Sequence, residues 1–215
     1  MKTIALWTLW LLVSLCIVGA FLWAPLAEGF LGESSRILFF HVPVAWVSFV
    51  AFMTAGIASI AYLVRPAERH DRTARCAVEL GLVFCVLATV TGAVWARIMW
   101  NAWWNWDPRQ SSIAVVLLFY AAYLVLRGAM EDPDTERRVA AAYGVLGLVV
   151  APFFFFVLPR IVEFSLHPEP VVNTEQEIGI EQRMLWVLLG TSVGFTALFF
   201  WMLSIQRRLR EPGTT

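Results

Sequence analysis

Six blocks of the chain are apolar over lengths near the roughly 20 residues that cross a bilayer core. They are 4–23, 44–64, 77–94, 111–126, 140–158 and 184–205. In lipid each block must be a helix, because an open strand or loop would leave backbone groups unpaired. The pattern predicts an all-α integral membrane protein: a single domain over residues 1–215, with six transmembrane helices and a Trp-rich segment at the outer face. Pro152 removes one hydrogen bond inside the fifth block and predicts a kink there. The first block follows Lys2 and runs longer than the about 7–15 apolar residues of a signal core. It lacks an A-x-A ending and reads as a retained helix, and Leu15 is too bulky for lipoprotein-type cleavage before Cys16.

The polar positions between the blocks sort by charge. Lys2, Arg65, Arg69, Arg72, Arg75, Arg127, Arg137, Arg138, Arg207, Arg208 and Arg210 fall on one side, eleven in all, against five on the other. Basic loops stay cytoplasmic, so both termini are expected in the cytoplasm, in the cytoplasmic (inner) membrane of a bacterium. Segments 24–43, 95–110 and 159–183 then face outward. The chain is 60% hydrophobic and 15% charged, too apolar for an ordinary soluble domain. Its net charge of +0 offers no basic face for nucleic acid. Cys16, Cys76 and Cys85 are dispersed and form no CxxC, so they read as packing residues. No GxxxxGK[ST] and no HExxH occurs, so any energy input must come from a partner.

The densest chemistry lies in Trp100-Asn101-Ala102-Trp103-Trp104-Asn105-Trp106-Asp107-Pro108-Arg109. On a helix, Trp100, Trp103, Trp104 and Trp106 would fall within about 160° of one another, with Asp107 among them. That predicts an aromatic shelf suited to a large flat ligand with a polar rim. An interfacial belt anchoring the third helix explains the same residues equally well.

His41 and His167 lie on the same outer side, each beside a span, and two opposed imidazoles can clamp one haem. Either histidine alone reads more readily as structural. His70 reads as a solvated loop residue on the inner side. Arg36, Arg97, Arg109 and Arg160 are outward candidates for haem propionates, with interfacial snorkelling the plainer reading of each. Glu28, Glu79 and Glu163 stand near or in the membrane, and no partner for Glu79 is legible.

The stretch Trp100–Arg109 resembles the tryptophan-rich "WWD" signature of membrane haem-handling proteins. With the length, the six spans and a His on each side of the motif, nearly the whole chain is similar to the haem exporter protein C family of cytochrome c maturation. The resemblance implies haem b, as ferric haem, held at the outer face. His41 and His167 would be the axial ligands. Trp100, Trp103, Trp104, Trp106 and Asp107 would be the platform, with Arg109 beside it. It implies an ABC transporter pair and a small membrane subunit as partners, and transfer of haem to a periplasmic haem chaperone. It implies no catalytic residue and no ATPase of its own. The family motif commonly has Gly where Asn101 stands.

Other classes remain as expectations to test. A cytochrome c synthase of the same superfamily, or a membrane cytochrome b-like electron carrier, needs histidines within the helices, and the six blocks contain none. A haem or small-molecule transporter needs polar residues near the midplane, where the blocks offer mainly Ser, Thr and Gly.

Overall fold

The computed structural model describes residues 2–27, 31–162, 164–167 and 179–211. Among these residues the chain is helical, and six helices are long and apolar enough to cross a membrane. One isolated bridge joins Ala27 to Gly32.

The elements run α1 (Lys2–Val18), α2 (Leu38–Val64), α3 (Glu68–Trp100), α4 (Pro108–Gly128), α5 (Pro133–Pro152), a single turn α6 (Leu158–Ile161) and α7 (Gln182–Leu209). Helices α2, α3, α4 and α7 overrun the blocks that predict them, while α1 and α5 give way to π turns before their blocks end. In α3 the overrun is a whole arm, Glu68 to Cys76, so the expected loop 65–77 is largely helix. The extension of α2 corrects one expectation: His41 lies inside a helix, within its first turns. Pro43 is tolerated there at the loss of one backbone bond. The kink expected at Pro152 takes the form of a π turn, Phe153–Val157, that links α5 to α6. A second π turn, Gly19–Trp23, ends the first span.

The core is the α2 seam. Phe52 on α2 stacks on Tyr120 of α4 at 3.6 Å and 4°. The Tyr120 hydroxyl donates to the Gly147 carbonyl of α5 at 3.3 Å. Small residues let α2 and α5 approach closely, as helices in lipid commonly do. A Cβ at Gly144 would strike the Ser59 hydroxyl, so this position needs glycine.

At the end away from the Trp-rich segment, Arg127 is buried, which corrects its reading as an ordinary loop charge. It forms a forked pair with Asp71 of α3 and lies 2.9 Å from Glu136 of α5. Glu79 also gains partners: Arg75, Arg210 and the Gln206 amide. His70 sits in the first turn of α3, with Nδ1 3.1 Å from the Arg65 carbonyl oxygen.

Candidate functional site

The Trp-rich stretch is not a helix. Asn101 takes a left-handed conformation (φ 56°) and ends α3, and Trp106 takes φ 56° as well. Asn reaches this region more easily than most residues, which is why it can stand where a glycine is usual. Pro108 then starts α4 and holds Asp107 extended before it. The expected helical shelf is therefore replaced by a loop over residues 101–107. Gln110 accepts from the Asn105 amide (2.8 Å), and the Ser111 hydroxyl donates to the Trp106 carbonyl (3.1 Å), tying this loop to α4.

The four tryptophans divide. Trp103 and Trp106 are exposed. Trp104 is half-buried and meets Trp106 edge-on. Trp100 turns the other way and packs edge-on against Trp95 and against the His167 ring, both at 5.0 Å.

His167 lies in segment 164–167, and Asp107 holds it there. The Asp107 carboxylate is buried, and four groups meet it. Oδ1 accepts from the Arg109 amide (3.0 Å) and faces Nδ1 of His167 (2.7 Å); Oδ2 accepts from the Ser165 hydroxyl (2.9 Å) and the Leu166 amide (2.6 Å). One carboxylate thus caps α4 and staples the distant segment to it. Burial opposes its charge, but the Arg109 and Leu166 amides, His167 and Ser165 outweigh that and hold its pKa below the usual carboxylate value. Burial in turn pulls the His167 imidazole below its ordinary value, against the opposing effect of Asp107. A carboxylate only accepts, so Nδ1 of His167 carries the hydrogen and Nε2 keeps its lone pair. Asp107 stands behind His167 rather than on an open aromatic face.

His41 is set from α3. Its Nδ1 lies 3.0 Å from the Thr91 hydroxyl oxygen. That hydroxyl directs its own hydrogen to the carbonyls of Leu87 (2.8 Å) and Ala88 (3.1 Å), one turn back. The oxygen therefore accepts, Nδ1 donates, and Nε2 of His41 also keeps its lone pair. A Cβ on Gly92 would stand 2.9 Å from Cε1 of His41, so glycine leaves the slot the ring occupies. The two imidazoles lie close enough to interact electrostatically.

The arginines expected outward have local duties. Arg97 reaches the end of α3 and donates to the Asn101 carbonyl (2.5 Å) and to its side chain (2.6 Å), and Arg36 donates to the Ala20 carbonyl (2.6 Å) and pairs with Glu33. Arg160 donates to the Phe156 carbonyl. Arg109 stands at the start of α4, its charge within electrostatic reach of His167 and Asp107. Glu28 and Glu163 lie outside the described residues. Sequence reasoning missed Thr91, Gly92, Trp95 and Ser165. Thr91 and Trp95 are four apart, on one face of α3, and that spacing was the available signal.

The Heme exporter protein C family matches residues 1–211 of the chain. Heme exporter protein C of Rhodobacter capsulatus is 32% identical over 196 residues, 89% of this chain and 78% of the relative. That of Bradyrhizobium diazoefficiens is 32% identical over 174 residues, 78% of this chain and 63% of the relative. That of Paracoccus denitrificans is 31% identical over 177 residues, 82% of this chain and 73% of the relative. The chain belongs to the haem exporter protein C family.

Proposed function

We propose that this member of the haem exporter protein C family holds haem at the outer edge of the cytoplasmic (inner) membrane, between His41 and His167, and presents it to a periplasmic haem chaperone. The observation that carries this reading is the matched state of the two imidazoles. Each has Nδ1 committed to an acceptor, and each therefore offers Nε2 as a donor to iron. The donor set suits haem in a second way. The buried Trp104 indole nitrogen and Asn105 amide nitrogen have no hydrogen-bond partner, and haem b brings two carboxylates. Both nitrogens belong to the loop that carries the exposed Trp103 and Trp106.

The roles then divide. Iron and porphyrin supply the chemistry of covalent attachment, and this chain binds and orients. His41 and His167 hold the iron, the tryptophans of the loop cover the ring face, and Asp107 keeps His167 in place. With no nucleotide-binding loop of its own, the chain acts with ABC transporter subunits and a small membrane subunit that supply the energy step. The eleven basic residues support an orientation with both termini in the cytoplasm and the Trp-rich loop outside. His41 lies within a helix, but His167 lies in a connecting segment, which disfavours a cytochrome b-like carrier with ligands paired at haem depth.

The test is the visible absorption spectrum of the detergent-purified protein supplied with ferric haem, beside His41→Ala and His167→Ala. A low-spin spectrum altered in each variant is expected. No haem in the wild type, or unchanged spectra in both variants, overturns the assignment.

A further inference from the structure

We infer that the two histidines are unequal by construction: Thr91 makes His41 the ligand that yields, while Asp107 makes His167 the ligand that stays. This rests on the haem reading above and adds an order to it.

The inequality lies in the acceptors behind the rings. Nδ1–H of His167 meets a carboxylate at 2.7 Å. That carboxylate is fixed by three further donors, from Arg109, Ser165 and Leu166. A charged acceptor makes a shorter, stronger hydrogen bond and pushes electron density into the ring, which raises the basicity of Nε2. Nδ1–H of His41 meets a neutral hydroxyl, at 3.0 Å, and the backbone group of Ala88 that also bonds this ring is neutral too. The Thr91 oxygen is not reinforced by a charge, and its own hydrogen is committed to the helix backbone. Nε2 of His41 is therefore the poorer donor.

The surroundings act in the same direction. Trp95 and Trp100 pack around the His167 ring, and Trp100 begins the turn into the Trp-rich loop. His167 is thus braced by the elements that would cover the porphyrin. His41 instead occupies a slot left by Gly92 and is held to α3 by the Thr91 contact. A haem bound to both would lose His41 first and leave still held by His167 and the loop. Thr91 is a positioning residue in this scheme: it tunes His41 and touches no reacting atom.

The experiment uses the full chain in detergent, loaded with haem and reduced, with carbon monoxide as the displacing ligand. The rate of carbon monoxide binding reports how readily a histidine leaves. After photolysis, the iron–histidine stretch in the resonance Raman spectrum reports the histidine that remains. Thr91→Val is expected to speed carbon monoxide binding by about tenfold, the scale typical for losing such a supporting bond, and to leave the stretch unmoved. Thr91→Ser, which restores a hydroxyl, should return the wild-type rate. Asp107→Asn should move the stretch to lower frequency. If Thr91→Val moves the stretch, or leaves the rate at the wild-type value, the order is overturned. Should Asp107→Asn fail to fold, the two Thr91 variants still decide. Failure of the haem reading itself is separate, since the wild type would then show no haem before carbon monoxide is added.

Discussion

Arg127 and Asp71 face each other as a two-point fork, Nη1 to Oδ1 at 2.6 Å and Nη2 to Oδ2 at 2.9 Å, joining α4 to α3 at the end away from the Trp-rich loop. The Tyr123 hydroxyl, 3.2 Å from Nη1, and Glu136 complete the cluster. Removing one partner strands a buried charge, which costs about 3–5 kcal/mol. Asp71→Leu should therefore lower the thermal stability in detergent sharply. Arg127→Met combined with Asp71→Leu should recover much of the loss, because the remaining Glu136 is partly solvated. Melting curves of both single variants and the double variant decide this.

Gly144 and Ser59 form a second pair whose fit can be tested. Gly144→Ala drives a methyl group into the Ser59 hydroxyl. Overpacking of this kind costs about 1–3 kcal/mol. Ser59→Ala removes the obstructing oxygen and leaves Cβ, which stands 3.1 Å from the new methyl. The double variant should be more stable than Gly144→Ala alone, which a double-mutant cycle measured by thermal unfolding would register.

Asp107→Ala should act on two properties at once. Loss of the α4 cap costs about 0.5–2 kcal/mol. Loss of the support behind His167 should weaken haem binding about 10–100-fold, as supporting residues of metal ligands typically do. Haem titration and thermal melts measure the two separately. A variant that melts lower but binds haem normally would remove Asp107 from the site.

The haem-free protein should also lose stability in acid, in two stages. His167 has a folded pKa below its ordinary 6.5. The unfolded chain therefore takes up the proton first, and stability present above pH 6.5 is lost as pH falls from there toward the folded value. Asp107 has a folded pKa below its ordinary 3.8, so its contribution survives to lower pH and is lost only below that value. His167→Asn should shrink the first stage, to which His41 also contributes, and keep the second. Melting temperature against pH, without haem, gives the comparison.

The sequence by itself determined the membrane class, the six helices and the residues of interest. Apolar runs of bilayer length leave the backbone few alternatives, so these features follow from local composition. His41, His167 and the Trp-rich stretch were also legible, because such residues are conspicuous at the ends of apolar blocks. What the pattern could not give was the backbone of the stretch itself. A helical wheel assumes a helix, and Asn101, Trp106 and Pro108 together end one. Helix length was likewise underestimated wherever polar residues carried α3 past the apolar core.

Only the tertiary structure decided the partners. Asp107 and His167 are 60 residues apart, and His41 and Thr91 are 50 apart. No local period links such residues; they meet because α2 packs along α3 and the segment after α6 folds back onto the start of α4. The same holds for Arg127 and Asp71, whose charges read as loop decoration until the helices bring them together. Composition fixes which groups need a partner, since burial without one is costly. Which partner each group finds is set by the packing of the helices.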